Sequence, residues 1–406
     1  MRREFDVVVV GAGAVGTVAA SLLVARKLCA PGRVAVIAER FAQAPPVADW
    51  DLRVFALSRA SQRLLAACGV WERLPRDRIF GYQRMCVWDA STAAGGAGSL
   101  VFDCAEIGEP NLGSIVDGRE LAWHCLQAAR HAGVEMIEAR LREIARDDAG
   151  VMLRLCGGGE VAAPLLLVAD GMQSAARDLL GIGTAGHGYD QDALVAHVQT
   201  SEPHQSTAWQ RFLASGPLAL LPLPDGRCSI VWSIGRAQAA RLRALDAAAF
   251  AQALDRASGK ALGRTALLSA VASFPLRLQY ASRYVCAGAA LLGDAAHVVH
   301  PLAGQGLNMG LLDCAALAEV LGSVKDAKMF GDLRVLRRYE RWRNSEILPA
   351  AAAFDGLDRL FSNSNRGFTA LRVAGLELLA AWPQARRLLA RRALGISGDL
   401  PSFLKS

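Results

Sequence analysis

The sequence predicts an α/β fold in which a parallel sheet with helices is interleaved with a mostly antiparallel sheet and followed by C-terminal helices. Two observations predict the parallel sheet: apolar runs of strand length at residues 5–10, 165–168 and 289–292, and a glycine or Asp-Gly turn after each of them. A third is the alternating apolar pattern from residue 188 onward, which predicts antiparallel strands. The 406 residues, 52% hydrophobic, suffice for two interleaved domains with their own cores.

The N-terminal segment predicts a strand, a glycine-rich turn and a helix. FDVVVV is followed by GAGAVG, in which Gly11, Gly13 and Gly16 fit G-x-G-x-x-G, and then by the helix-forming TVAASLLVARKL. A second apolar strand, RVAVIAER, ends in Glu39, which is placed to accept hydrogen bonds from a ribose diol. Gly11 permits the tight turn, Gly13 the approach of a pyrophosphate, and Gly16 close packing of helix and strand. Together these elements predict a Rossmann-like dinucleotide site.

A second glycine match, GIGTAG at residues 181–186, does not predict another such site. It follows the helical pattern SAARDLL and precedes a strand pattern, whereas the dinucleotide fingerprint needs a strand before it and a helix after it. We therefore expect a loop here.

The middle of the chain supplies further candidate residues. Residues 51–74 begin with a polar strip that contains Arg53, whose guanidinium suits either an anionic ring system or a surface ion pair, and continue as an amphipathic helix. LLLVADGMQSAAR, residues 165–177, predicts a strand, a turn and a helix with Ser174 at its start. Four strand patterns follow, and we expect their sheet to cover the cofactor, with residues 218–223 and 230–232 as apolar walls.

Residues 291–310, LLGDAAHVVHPLAGQGLNMG, allow two interpretations. Asp294, His297 and His300 are spaced by three, which suggests two histidines and one carboxylate around a metal ion. Pro301 disfavours helical geometry at His300, however, and breaks that alignment. The alternative is a loop whose backbone N–H groups at the start of a long helix face an anionic or carbonyl oxygen, with Asp294 holding a hydroxyl of a sugar chain. We favour the loop and expect no metal.

The motifs GAGAVG with Glu39, ADGMQSAAR and GDAAHVVHPLAGQGLNMG resemble, in this order, the three signatures of the single-component flavoprotein aromatic hydroxylases. Shorter motifs, among them DLRVFALSRAS, MCVWDA, GYDQDA and GPLALLPL, are similar to the ubiquinone-biosynthesis hydroxylases within that group. The resemblance covers residues 5–310 and, more weakly, the tail. It implies a Rossmann-like FAD-binding fold.

The resemblance also implies the roles of individual residues. The candidate catalytic residues are Arg53, His300 and Pro301, although the two histidines of the loop suit hydrogen bonding that orients the loop better than base catalysis. The candidate cofactor-binding residues follow the three signatures and the strip near Arg53: Gly11, Gly13, Ala14, Gly16, Glu39, Arg40, Arg53, Arg119, Asp170, Gly171, Arg177, Gly293, Asp294, Pro301, Gly304, Gln305, Gly306, Leu307 and Asn308.

By the same resemblance, residues 1–80, 100–185 and 281–345 form the FAD-binding domain, residues 81–99 and 186–280 the substrate-binding domain, and residues 346–406 a helical C-terminal segment. The implied reaction is hydroxylation of a polyprenyl-phenol ring through a flavin C4a-hydroperoxide, with O₂ and NAD(P)H as co-substrates. The resemblance does not determine which ring carbon is hydroxylated, the length of the prenyl chain, or the oligomeric state. It also leaves open whether the electrons come from NADH, from NADPH or from a separate reductase. Rival interpretations are an FAD-dependent enzyme for another phenolic or aromatic substrate and a flavin-binding scaffold subunit.

Charge and cysteine content bear on location and partners. The net charge is +7, and residues 351–406 carry eight basic side chains against four acids. Within this tail, WPQARRLLARRAL could place a basic helix on an anionic membrane surface or on a quinone-biosynthesis complex, or simply pack against the body. The nine scattered cysteines and the lack of an export or membrane-spanning pattern suggest a cytoplasmic protein, peripheral to the membrane at most, without a nucleic-acid partner.

Overall fold

A computed structural model describes residues 2–46, 50–96, 98–147, 150–299, 305–361, 375, 377–379 and 381–405, with the backbone alone for residues 350–355 and 357–361. Its α-helices are α1 (Ala14–Ala25), α2 (Arg59–Ala67), α3 (Gly118–His131), α4 (Ala175–Leu179), α5 (Arg236–Arg243), α6 (Ala247–Ser258), α7 (Gln305–Leu321), α8 (Leu333–Phe361) and α9 (Pro383–Ala393).

The strands fall into four sheets. They are β1 (Arg2–Glu4), β2 (Val7–Val10), β3 (Val34–Ala38), β4 (Val54–Leu57), β5 (Ile79–Tyr82), β6 (Arg84–Asp89), β7 (Ser99–Asp103), β8 (Gly113–Asp117), β9 (Glu135–Glu138), β10 (Leu141–Asp147), β11 (Gly150–Leu155), β12 (Glu160–Ala163), β13 (Leu165–Val168), β14 (Thr184–Thr200), β15 (Thr207–Leu213), β16 (Gly216–Pro222), β17 (Cys228–Gly235), β18 (Thr265–Leu267), β19 (Ala272–Ala281), β20 (Val285–Cys286), β21 (Ala289–Leu291) and β22 (His297–Val298).

The central sheet has the order β20-β21-β13-β2-β3-β9 and is parallel except for β20. Val7–Val10 pair in register with Leu165–Val168 on one side and with residues 34–37 on the other. All four valines are buried, as expected for strands covered on both faces, which confirms the predicted parallel sheet. The chain runs from β2 to β3 on one side and reaches β13 and β21 on the other, so the strand order reverses between β2 and β13. Ligands of such sheets bind at the carboxyl ends of the strands at this point.

The largest sheet runs β22-β19-β14-β17-β16-β15-β6-β7, with β18 paired to β14. Neighbours among β14 to β17 are antiparallel, as predicted, whereas β15 pairs with β6 in parallel. Strand β7 and the short β22 also belong to this sheet, so its pairing extends beyond residues 81–99 and 186–280. The division into domains stays a prediction.

The two faces of this sheet pack against different elements. Only some of the apolar residues expected to form the walls of the substrate site therefore lie on the face towards β4. Leu218, Leu220, Ile230 and Trp232 pack with Phe250 of α6 in a separate core. The helices α5 and α6, which the sequence analysis did not predict, cover that face. Since successive strand residues point to opposite faces, the intervening residues Leu221 and Leu223 lie on the other face instead. There they contact Trp50 and Val54, close to Arg53. Trp209 and Phe212 also belong to packed clusters.

Two smaller sheets complete the fold. One has the order β4-β8-β5, and the other β1-β12-β11-β10. Strand β4 follows the polar strip at residues 51–53 and was not predicted from the sequence. It leads into α2, whose N-cap residue Ser58 accepts a hydrogen bond from the N–H of Ser61. The nine cysteines all lie in the described part of the chain, are free, and seven of them are buried. None of the described helices is long and apolar enough to span a bilayer.

Candidate cofactor and active site

The predicted cofactor residues lie after neighbouring strands of the central sheet. Gly11 follows β2, Glu39 follows β3, Asp170 follows β13, and Asp294 follows β21. The carboxyl ends of parallel strands meet at one edge, so these segments, far apart in the chain, lie along the same edge.

In the turn from β2 to α1, two of the three glycines are closely surrounded by backbone atoms and the third, Gly13, faces open space. Gly11 has φ +109°, and a Cβ there would lie 2.2 Å from the carbonyl oxygen of Ala169 after β13. A Cβ at Gly16 would lie 2.0 Å from the carbonyl oxygen of Gly11. Gly13, in contrast, is the N-cap of α1, and a Cβ there would meet nothing within 4 Å. None of the described side chains caps α1, which begins at Ala14, so its first N–H groups are available to a phosphate beside this open space.

Glu39 and Arg40 are exposed at the end of β3. Glu39 pairs with Arg140 at 3.4 Å, and both side chains are largely exposed, so the pair restrains Glu39 only weakly. The carboxylate therefore remains free to accept from a diol.

Asp170 and Arg177 use their side chains within the protein. The Asp170 carboxylate accepts from the Ser174 hydroxyl and, at 3.0 Å, from the N–H of Ala176, which holds the start of α4. Ser174 caps α4, as the sequence predicted. Arg177 is buried and donates to the carbonyl oxygens of Met172, at 3.1 Å, and Ala295, at 3.2 Å. The guanidinium thus ties the segment after β13 to the segment after β21, while Gly171, with φ +88°, faces open space.

Asp294 is exposed to solvent, yet the protein around it raises the pKa of its carboxyl group by desolvation. The positive charges of His297 and Arg53 partly offset this effect. An acid that solvent reaches but protein surrounds lies in a concave part of the surface, which suits a ligand contact. Gly293 before it has φ +58°, and a Cβ there would lie 3.3 Å from Val15 of α1.

Arg53 is exposed beside this acid, and its guanidinium lies 5.1 Å from the centre of the Phe55 ring. None of the described residues accepts a hydrogen bond from its side chain, so the charge is available to a ligand. Arg119, at the start of α3, is also exposed and lies 3.8 Å from Asp51. Arg119 thus pairs with Asp51, and the backbone N–H of Arg53 donates to the same carboxylate at 3.3 Å.

A buried charge network that sequence reasoning missed lies beneath Asp294. Asp313 of α7 accepts from His297 Nε2 at 2.7 Å, from Arg343 Nε at 2.6 Å and from the N–H of Gly293 at 2.8 Å. The side chains of Asp313 and His297 are fully buried, and that of Arg343 nearly so. Burial alone would raise the pKa of Asp313, but the charges of His297 and Arg343 and these hydrogen bonds hold it below its usual value.

His297 is thus a hydrogen-bond partner of Asp313, which is the type of role favoured for it from the sequence. An acid within the apolar run GLLDCAALAEVL was the only signal for Asp313, and Arg343, thirty residues later, gave none. Within the described residues no group of three side chains is arranged to hold a metal ion.

The start of α7 contains the remaining predicted residues. Gln305, Gly306 and Leu307 form its first turn and are partly exposed. The side chain of Asn308 is buried, accepts from the N–H of Ser58 at 2.9 Å and donates to the carbonyl oxygen of Ala56 at 2.9 Å. It braces α7 against β4 and α2, so a cofactor contact at this position would come from its backbone. The candidates His300, Pro301 and Gly304 lie outside the described residues.

The open space at Gly13, Gly171 and Gly306, beside the uncapped start of α1, fits a long phosphate-bearing cofactor. The segment GIGTAG leads into β14 and not into a helix, so it does not form a second site of this kind.

Comparison with known proteins agrees with this geometry. Residues 4–346 match the family model described as FAD binding domain. The chain is similar to the 3-demethoxyubiquinol 3-hydroxylase of Escherichia coli, with 33% identity over 96% of this chain and 98% of that protein. It is also similar to the ubiquinone hydroxylase UbiL of Rhodospirillum rubrum, with 34% identity over 96% of this chain and 89% of that protein.

Among solved structures, p-nitrophenol 4-monooxygenase PnpA from Pseudomonas putida superposes with a TM-score of 0.75 at 18% identity, covering 97% of this chain and 99% of that one. At this identity the likeness shows the fold alone. The predicted Rossmann-like FAD-binding fold is confirmed, and the chain belongs to the family of FAD-binding monooxygenases that includes these hydroxylases.

Proposed function

We propose that this protein hydroxylates the aromatic ring of a polyprenyl-phenol intermediate in ubiquinone biosynthesis, with FAD as cofactor and with O₂ and NAD(P)H as co-substrates. The observation that carries the proposal is the convergence of the cofactor segments at one edge of the central sheet, next to an apolar face of the large sheet. The names of the two relatives supply the substrate class.

The residues that would hold FAD are those at that edge. The N–H groups at the start of α1 would bind phosphate, Glu39 a ribose diol, and Asp294 a hydroxyl of the sugar chain. The cofactor would supply the redox chemistry, namely acceptance of a hydride and activation of dioxygen, that no side chain provides.

The protein's own contribution is position and shelter. Arg53 places a positive charge beside Asp294. The apolar side chains of Trp50, Val54, Leu221 and Leu223 pack together between the large sheet and β4, and they would keep water away from a ligand bound beside them. A dry and apolar surface also suits a prenyl chain.

Association with an anionic membrane surface through α9 is part of the proposal. Leu388 is 64% exposed and Leu389 45% exposed, and Trp382 precedes the helix with 56% exposure. Arg387 and Arg391 are exposed on the same helix. Exposed apolar and basic side chains on one helix are features of helices that lie in the membrane interface, where a prenylated substrate is dissolved.

Deletion of the gene tests the proposed function in the cell. The strain should accumulate a polyprenyl-phenol that lacks one hydroxyl group, and mass spectrometry of the quinone fraction would identify it and the missing ring position. A normal quinone profile would contradict the proposal. A purified protein without a flavin spectrum would favour a scaffold subunit instead.

A further inference from the structure

The face of the large sheet that lies towards β4 contains two buried polar side chains without partners. His197 of β14 lies directly opposite Ser229 of β17, which in turn lies opposite Leu221 of β16. Leu221 packs with Trp50 and Val54. The row formed by these three strand residues therefore faces the polar strip that contains Arg53.

Both side chains are almost completely removed from solvent: His197 is 4% exposed and Ser229 is fully buried. Neither His197 Nε2 nor Ser229 Oγ has a hydrogen-bond partner among the described residues. Buried polar atoms are satisfied in nearly all native proteins, so two such atoms on neighbouring strands suit a shared partner outside the chain, either a ligand or an ordered water molecule.

The charged groups around His197 place it beside the candidate active site. Burial lowers the pKa of its imidazole, and Arg227 lowers it further, against the opposing charges of Asp117, Asp225 and Asp51. Asp51 belongs to the same strip as Arg53. The imidazole is therefore neutral near pH 7 and has a lone pair with which to accept a hydrogen bond.

A second histidine, in the connection between β14 and β15, has a structural role. His204 Nε2 lies 3.0 Å from the carbonyl oxygen of Leu223, and its Nδ1 accepts from the N–H of Ser206 at 3.1 Å. Its ring also meets Phe80 edge to face at 5.1 Å. Both nitrogens of His204 are used within the protein, whereas Nε2 of His197 has no hydrogen-bond partner in the described part of the chain.

A neutral imidazole nitrogen accepts, and a serine hydroxyl both donates and accepts. This pair matches a hydroxyl group, which needs one acceptor and one donor, and the apolar residues around it match an aromatic ring. We propose that His197 and Ser229 bind the hydroxyl group of the phenol substrate and thereby position its ring. This inference rests on the proposed function, because the substrate class comes from there.

The test compares two probes that differ only in the hydroxyl hydrogen: 2-geranylphenol and its methyl ether. Binding to the FAD-loaded protein is followed by the perturbation of flavin absorbance, and the dissociation constants give a preference ratio. We expect the wild-type protein to prefer the phenol about tenfold or more, since the ether leaves His197 without a donor. In His197→Phe the ratio should fall close to one, and in Ser229→Ala it should fall in part.

Stability provides a readout that separates a ligand contact from a structural role. His197→Phe replaces an unsatisfied buried group by an apolar one and should not lower the melting temperature of the unliganded protein. The control His204→Phe breaks two hydrogen bonds and should lower that temperature, while the folded fraction keeps the wild-type preference ratio.

Several results would overturn the inference. If His197→Phe retains the wild-type ratio, the partner of His197 is a buried water molecule or nothing. If the wild-type protein binds both probes equally, the inference is wrong while the proposed substrate class stands. If neither probe binds to protein with an intact flavin spectrum, the proposed function fails as well. A wild-type ratio close to one overturns the inference even if no variant folds, and if His197→Phe does not fold, an unchanged ratio in Ser229→Ala overturns it.

Discussion

Replacing Asp313 by asparagine removes the charge at the centre of the buried network while preserving the shape of the side chain. In the wild-type protein the carboxylate of Asp313 compensates the charge of Arg343 and accepts hydrogen bonds from three donors. An asparagine can place its oxygen towards only one side. If the NH₂ group of the asparagine faces Arg343, it meets the guanidinium, which is also a donor. If the NH₂ group faces Gly293, it meets the N–H of Gly293, which is a donor as well. In either orientation the Arg343 charge is buried without a carboxylate.

Breaking a buried ion pair by removing one partner typically costs about 3–5 kcal/mol, since the remaining charge loses its compensation. We expect a loss of this size in the free energy of unfolding, which is a large part of the about 5–15 kcal/mol of an ordinary domain. Urea titrations followed by tryptophan fluorescence and by circular dichroism would measure it, and coincident transitions would justify a single free energy.

Asp178 provides the matched control. It pairs with the buried Arg177 at 3.4 Å, but its own side chain is 71% exposed. Asp178→Asn should therefore cost less than about 1 kcal/mol. A loss below about 1 kcal/mol in Asp313→Asn would refute the reasoning, because the network would then contribute no more than an exposed pair.

The same network makes stability depend on pH in a defined direction. The pKa of Asp313 is lower in the folded protein than its ordinary value of 3.8. The ionised carboxylate therefore stabilises the fold fully above that ordinary value, and the contribution is lost as pH falls from it through the lower folded pKa. This acid-dependent loss should be reduced in Asp313→Asn.

Three further predictions follow from the candidate site and the tail. Gly16→Ala should destabilise the protein even without FAD, because the new Cβ would lie 2.0 Å from a backbone oxygen, whereas Gly13→Ala should leave stability unchanged and weaken FAD retention on gel filtration. Asp294→Ala should lose FAD, while a chelator should leave activity intact. Leu388→Glu should reduce sedimentation with vesicles containing phosphatidylglycerol, whereas Leu268→Glu, at a position 50% exposed directly after β18, should not. The first prediction is contradicted if both glycine variants retain FAD equally, and the second if the chelator abolishes activity. The third is contradicted if both leucine variants sediment equally with the vesicles.

Point variants test the tail better than its removal. Leu394, Leu400 and Leu404 are buried, and the N–H of Ala60 donates to the carbonyl oxygen of Leu394 at 3.2 Å. Deleting residues 382–406 would therefore expose the core around α2 as well as remove the proposed membrane contact.

The central sheet could be predicted because its signals are local. Val7–Val10, the glycines after them and Ala14–Ala25 are consecutive in the chain, and each type of residue has one structural reason to be there. The same holds for Ser174 at the start of α4. These features need no knowledge of tertiary contacts.

The buried charge network and the packing of α7 could not be predicted, because they depend on contacts between residues that are distant in the chain. Asp313 and Arg343 are thirty residues apart, and Asn308 braces Ala56 across about 250 residues. The faces of the large sheet could not be assigned either, because an alternating strand shows that two faces differ but not which one a helix covers. The helices α5 and α6 decide that Trp232 is core and that His197 faces β4.

The most direct test of the central claim is a reaction of the purified FAD-loaded protein with 2-geranylphenol, NADH or NADPH, and isotopically labelled dioxygen. Mass spectrometry of the product should show one additional hydroxyl group on the ring, carrying one labelled oxygen atom. Oxidation of the nicotinamide with release of hydrogen peroxide and unchanged phenol, or a product whose added oxygen is unlabelled, would contradict the assignment as a monooxygenase of prenylated phenols.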